Sequence, residues 1–403
     1  MAESAPNESI LSGMQREIEE AVSGTVFMSR DELLHEYNGC QVLTRIDTDG
    51  EDLRGLDLSH ALWEGCSFRG ADLRGSNLSS GVFNNCRFDD ALLDGTDATS
   101  AMFSGCSWEG TQFGAAQLPS ATLSDGFLRG ADLHRVALDG AILSKLDLSG
   151  CRLPRQLKRC AIASTILQKA DLSGGTYERC AFVNCDTGAI DLTGAVLLQC
   201  VLVKPDLAEA RLHGVRLNRC NIVEAVLPGR SFDSHDFTQT QFIKAKMPRC
   251  SLRGARLDRC NFFAADLAGC DFTGAGIANG IFTGADLTGA TLAGAQLGGA
   301  NFTEAKLAQA DLAGAQAKHA NFGKAVLTGA VLRDCGLEHA LFGHADLTDV
   351  DGSGANLHRA RFHRAIEERT DWRRANRKAA LGDDEELKRA EDWPTARKAG
   401  AKA

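Results

Sequence analysis

Residues 261–302 read NFFAADLAGCDFTGAGIANGIFTGADLTGATLAGAQLGGANF, with a large apolar residue at every fifth position: Phe262, Leu267, Phe272, Ile277, Phe282, Leu287, Leu292, Leu297 and Phe302. Phenylalanine returns at every twentieth, from Phe242 through Phe262, Phe282, Phe302, Phe322 and Phe342 to Phe362. Neither the 3.6-residue period of a helix nor the two-residue alternation of a strand produces this spacing. A twenty-residue coil with four five-residue sides does, and it makes the phenylalanines one inward wall. A repeat of this length signifies a solenoid and overrides the two or three globular domains that 403 residues would otherwise suggest.

Working outward, the beat runs from Leu53 through Leu58, Trp63 and Phe68 to Leu153, and after Pro154 resumes one residue early at Leu157, Ile162, Leu167 and Leu172. Of the 63 central positions from Leu53 to Phe362, 59 are Leu, Phe, Ile, Met, Trp or Tyr, the exceptions being Ala98, Thr187, Ala317 and Gly352. A single four-residue side at Pro154 accounts for the shift. If that side still counts as a wall, the column Trp63, Phe83, Phe103, Leu123, Leu143 continues into Ile162 and Phe182. The residue two before each centre is small and points inward as well. Glycine recurs two after it, as at Gly70, Gly130, Gly254 and Gly284, where a corner needs unusual backbone angles. Pro119, Pro154, Pro228 and Pro248 each follow a centre, where a turn requires a fixed φ.

The units Ala-Asp-Leu-Arg-Gly (71–75), Ala-Asp-Leu-His-Arg (131–135), Ala-Asp-Leu-Thr-Gly (285–289) and Ala-Asn-Phe-Thr-Glu (300–304) resemble the pentapeptide-repeat proteins over about three quarters of the chain. The resemblance implies an all-β solenoid, the right-handed quadrilateral parallel β-helix, here of about sixteen coils. It leaves function open, because one fold hosts several. Some relatives are similar to B-form DNA in shape and charge and bind type II topoisomerases. In layout the chain also looks like the cysteine-bearing pentapeptide proteins that accompany bacterial secretion systems, type VI in particular, on the strength of Ala-Arg-Phe-His-Arg-Ala (360–365) leading into a helix.

The flanks lack the beat. Met14, Ile18 and Val22 have helical spacing, and Ser29-Arg30-Asp31-Glu32 reads as a capping box opening a short helix that Asn38-Gly39 would end. Ala365 to Leu381, rich in Arg, Glu and Ala, predicts a helix ended at Gly382, with another turn or two from Asp384 to Ala390, Trp372 plugging the last coil, and Lys398 to Ala403 disordered. The expected organisation is thus an N-terminal helical cap or docking segment over 1–41, repeats over 42–364, and a C-terminal helical cap and tail over 365–403.

No run of about eighteen apolar residues predicts a membrane span, and Met1 to Ile10, with Glu3 and Glu8, lacks the pattern of a signal peptide. A cytoplasmic location is expected, with a signal-independent route of secretion left open. Thirteen of the fourteen cysteines occupy the small inward slot two before a centre, as Cys66, Cys106, Cys220 and Cys270 do, so they read as reduced fillers. Redox or metal chemistry in the columns Cys66, Cys86, Cys106 and Cys160, Cys180, Cys200, Cys220, Cys260 is the weaker reading, since no CxxC pair occurs and the interior is narrow. His319, His339, His344, His358 and His363 read as solvated corner residues, and the Asp before each centre, as at Asp171, Asp191, Asp286 and Asp346, as structural.

The net charge of -9 is uneven: residues 51–153 carry -6, whereas 155–260 hold sixteen Lys and Arg against ten Asp and Glu. A full-length DNA mimic is therefore disfavoured. Arg159, Arg179, Arg219 and Arg259 each precede an inward cysteine at multiples of twenty, with Gln199 and Gln239 between. Stacked like charges repel, so these four are the candidate partner-binding residues, facing an acidic protein surface rather than nucleic acid, for which no aromatics interleave at the surface. No catalytic, cofactor or metal motif appears, and an uninterrupted coil offers no deep pocket. The expectation is a non-enzymatic scaffold or adaptor, with a DNA-mimic regulator of gyrase as the alternative. A homodimer formed through coil ends or the C-terminal helix is open to it.

Overall fold

Each five-residue side turns its corner in one of two ways. In the commoner, the carbonyl of a centre accepts from the N–H three residues on, as Phe68 does from Ala71 at 3.1 Å, and the residue two after the centre, Gly70, has φ +66°. That is a type II turn, with proline suited to the position after the centre. Pro119 and Pro248 sit there, beneath the Leu118–Ala121 and Met247–Cys250 bonds of 3.2 and 3.4 Å. In the other, a three-residue strand runs straight to the corner. Both place the corner residue in the left-handed region, and many such corners are not glycine.

The computed structural model describes residues 13, 16–37 and 41–400, with side chains as far as Trp393. It divides into two compact units, Met1–Arg216 and Leu217–Ala403. Each is a parallel β-solenoid with the large centre and the small residue two before it both buried.

In the first unit nine strands pair in parallel along one face. They include Val42–Thr44, Leu62–Glu64, Val82–Asn84, Met102–Ser104, Thr122–Ser124 and Ile142–Ser144. Across the phase break Leu143 pairs with Ile162, nineteen residues on, and Ile162 with Phe182, twenty on. The short side at Pro154 is absorbed without loss of register, so the inward wall continues as its column predicts. A second face carries Gln156–Lys158, Thr176–Glu178 and Val196–Leu198. In the second unit Asn221–Val223 pairs with Gln241–Ile243, and later coils are joined by single-residue bridges such as Asn261–Ile281, between the residues that precede Phe262 and Phe282. Coils bearing a strand on the first face are therefore fewer than the sixteen turns counted from sequence.

Aromatic ladders fill the walls. From Phe242 to Phe362 successive rings stack with centroids 4.8–5.3 Å apart. In the first unit Phe68, Phe88 and Trp108 stack at 4.9 and 4.4 Å. Burying one such ring contributes about 1.5–3 kcal/mol.

Helix α1, Arg30–Glu36, opens on the anticipated box: the Ser29 side chain accepts from Glu32 N, and Glu32 accepts from Ser29 N at 2.8 Å. Leu33 is buried, and Tyr37 stacks on Trp63 at 6.3 Å. Val26–Phe27 pairs with Ile46–Asp47 and covers an edge there. Residues 16–21 are helical with Ile18 buried; Met14 and the Asn38-Gly39 stop lie outside the described residues.

The C-terminal expectation needs correcting. Ala365 to Leu381 is not a helix but one more coil, joined by the bridges Asp346–Ile366, Asp351–Asp371, Asn356–Asn376 and Arg361–Leu381. Its centres are Glu367, Trp372 and Arg377, which is why the apolar beat was lost. Arg377 pairs with Glu367 at 2.9 Å and lies 4.8 Å over the Phe362 ring. The exit at 360–365 therefore leads into repeat. Helix α2, Glu385–Gly400, begins later and takes in Lys398 of the expected tail, while residues 401–403 lie outside the described residues.

Candidate partner-binding surface

The four arginines occupy left-handed corners: Arg159 and Arg179 at φ 57° and 55° in the first unit, Arg219 and Arg259 at 53° and 58° in the second. All four are exposed. A corner of this hand throws its side chain away from the coil, and a non-glycine residue there costs about 1–2 kcal/mol. Gln199 and Gln239 are more than gaps. Arg179 Nε donates to Gln199 Oε1 at 3.0 Å, and Arg219 Nε donates to Gln239 Oε1 at 2.8 Å. Interleaved amides thus relieve part of the like-charge cost, which the spacing alone did not reveal. Arg179 also approaches Glu178 at 3.9 Å. Among the described residues, the guanidinium groups of Arg159 and Arg259 make no ion pair or hydrogen bond.

In the first unit the Arg159–Arg179 corner borders the outward residues Ala161, Ala181 and Val201 of three successive strands. Cations beside a flat row of small apolar groups can grip a carboxylate and still pack closely against a partner. In the second unit the corner column continues through Asn279 and Gly299 to His319, His339 and Arg359, all with φ between 55° and 69°. Residue type alone separates these histidines from the arginine line. Their shared place in the twenty-residue period was the signal that joins them.

The acidic residues before the centres are structural. Asp171, Asp191, Asp286 and Asp346 each accept from the N–H two residues on, at 2.9–3.0 Å. The Thr348 side chain and N–H hold the Asp346 carboxyl below the usual carboxylate value. The thirteen described cysteines are buried, and most of their thiols donate to carbonyls of the preceding coil, as Cys200 does to Tyr177 O at 3.2 Å.

His344 and His363 meet Glu391 of α2, a pairing that no sequence spacing announced. His344 Nε2 lies 3.1 Å from Glu391 Oε1, and His363 Nε2 lies 3.3 Å from Oε2. Three such groups could suggest a metal. His363 Nδ1, however, accepts from Asp384 N at 3.0 Å, which puts the ring proton on Nε2, where it donates to Glu391. Arg364 stands 3.1 Å from the same carboxylate oxygen. The trio reads as a dock for α2 rather than a ligand set. Trp372, the candidate end-cap, lies edge-on to Phe362 at 6.1 Å and under Arg377 at 5.5 Å.

Among the described residues no helix is long and apolar enough to cross a membrane. No curated protein matches the chain. Among solved structures it is similar to full-length QnrB1, a plasmid-mediated fluoroquinolone resistance protein (16% identity, 53% of this chain and 96% of that one, TM-score 0.17). It is also similar to HetL, a pentapeptide repeat protein involved in heterocyst differentiation regulation from Nostoc sp. strain PCC 7120 (22%, 83% and 96%, TM-score 0.13). A pentapeptide repeat protein from the Arabidopsis thaliana thylakoid lumen matches a shorter stretch (32%, 25% and 62%, TM-score 0.16). The profile of pentapeptide repeats matches eight times, at residues 52–90, 116–153, 189–229, 236–274, 281–315, 295–334, 310–349 and 330–366. Together these copies span more than half of the chain, which belongs to the pentapeptide-repeat family.

Proposed function

We propose that this protein is a non-enzymatic scaffold or adaptor that binds an acidic face of another protein through its arginine corners. The observation that carries the reading is the exposed Arg159–Arg179 corner beside the apolar row Ala161, Ala181, Val201. Arg219 and Arg259 offer the same chemistry in the second unit. Rim cations of this kind govern encounter rate and partner choice more than raw affinity. In this reading α1 and the Trp372 coil serve as end-caps, and the protein works in the cytoplasm.

Reversal of Arg159, Arg179, Arg219 and Arg259 to Glu, followed by recovery of the partner from the native cell, tests it. Binding should fall, and binding of the unaltered protein should weaken as salt rises. A partner retained at full strength by the reversed protein overturns the site. The gyrase-regulator alternative has its own assay: inhibition of supercoiling by purified protein at micromolar concentration would replace the adaptor reading. An accessory role beside a secretion system is the narrower form of the proposal, whereas a secreted effector in its own right would show export that depends on the first forty residues.

A further inference from the structure

The second unit carries a concavity of ≈ 610 Å³ between the His319–His339–Arg359 corner and the outward residues Leu341, Arg361 and Leu381. Its volume is in the range of small-molecule sites. One side carries imidazole and guanidinium groups. The His319 and His339 rings stack with centroids 4.8 Å apart, and His358 meets His339 edge-on at 6.2 Å. Among the described residues, the guanidinium groups of Arg359 and Arg361 have neither an ion pair nor a hydrogen bond. The lining contains no carboxylate, and Glu338, next to His339 in sequence, is engaged by Asn356 Nδ2 at 2.6 Å. On the other side Leu341 and Leu381, 39% and 56% exposed, flank Arg361 on the neighbouring coils.

Uncompensated cations two residues apart on one coil gain the fold nothing, and two guanidinium forks offer more donors than a single carboxylate can take up. A phosphoryl group, with three acceptor oxygens and nearly two negative charges, matches them. We propose that this concavity binds an organic phosphate, its phosphoryl group held by Arg359 and Arg361 and its apolar or aromatic body laid against Leu341 and Leu381. The site does not depend on the adaptor reading. Partial desolvation and the neighbours His319, Arg359, Lys318 and His358 hold the His339 imidazole below its ordinary pKa, and a bound phosphate opposes that shift.

The test is calorimetric titration of the full chain with 1-naphthyl phosphate and with inorganic phosphate, alongside NMR of the His339 ring. Saturable binding is expected, with naphthyl phosphate at least roughly tenfold tighter than phosphate, as an added apolar contact warrants. The His339 titration should move upward when the ligand binds. Arg359→Glu with Arg361→Glu should weaken both ligands by roughly tenfold or more. Leu341→Asn should weaken naphthyl phosphate more than phosphate, so the proposal stays testable if the double variant fails to fold. No saturable binding, equal affinity for the two ligands, or affinities untouched by these substitutions would overturn it.

Discussion

Gly352 and Trp372 occupy the same place in successive coils, and a Cβ added to Gly352 would overlap the indole ring. The gap in the apolar beat at Gly352 is therefore the seat of a ring twenty residues later. Restoring the repeat with Gly352→Leu should destabilise the second unit by about 1–3 kcal/mol, as overpacking does. Paired with Trp372→Ala it should cost less than the two changes added separately, by at least about 0.5 kcal/mol. Urea unfolding of the four proteins measures this, and strict additivity would show that the ring is seated elsewhere.

The Ser29–Glu32 box gives a second expectation. Ser29→Ala removes an N-cap and should cost α1 about 1 kcal/mol. The Ser29 side chain and N–H hold the Glu32 carboxyl below its ordinary value of 4.5. A depressed folded pKa contributes stability that is present above the unfolded value and is lost as pH falls through the folded one. The difference between Ser29→Ala and the unaltered protein should therefore shrink below about pH 4. Amide exchange across Arg30–Glu36 at several pH values reads it, and a gap that widens in acid would reverse the assignment.

What the sequence made legible was whatever repeats locally. Period five names the inward residues, and the one-residue slip at Pro154 predicts the Leu143–Ile162–Phe182 wall that the register displays. The last coil escaped because its centres are Glu367, Trp372 and Arg377, whose ion pair and ring contacts replace aliphatic packing. Helix-forming composition then pointed the wrong way. The dock of α2 on His344 and His363 was hidden for another reason: Glu391 lies on a helix, outside the period that aligns coils. Of the surface, spacing located the arginines but not their bonds to Gln199 and Gln239, which depend on rotamers.

Corner geometry makes a prediction that separates fold from function. Ala264 turns its corner at φ 52°, where a Cβ is penalised and a branched one more so. Ala264→Gly should be neutral or raise stability by up to about 1 kcal/mol, and Ala264→Val should lower it. Thermal melting should rank Gly, Ala, Val in descending order. The same logic makes Arg219→Gly a useful partner to Arg219→Glu: both remove the cation, but only the first relieves the corner, so a partner lost with both is lost for want of charge.

The thiols provide the last test, because packing and redox readings diverge there. Burial pushes Cys86 well above the ordinary thiol value and Cys151, Cys260 and Cys335 up to about 12; Cys180 and Cys250 are shifted down by hydrogen bonds from the thiols of Cys160 and Cys270, and there burial alone withholds the sulfur from a reagent. The thiolate is the nucleophile, so at pH 8 roughly one in ten thousand of a thiol with pKa about 12 is reactive, even before access is considered. Thirteen of the fourteen cysteines are described, and all thirteen are buried. Treatment of the folded protein with an aromatic disulfide reagent at pH 8 should label at most one thiol per chain within minutes, and all fourteen after denaturation. If Cys160, Cys180 and Cys200 were instead a working redox column, labelling of the folded state would be fast, would block itself by forming coil-to-coil disulfides, and would leave fewer thiols to count in denaturant. Parallel side chains on neighbouring coils disfavour that closure, so full recovery of the denatured count is the expected result.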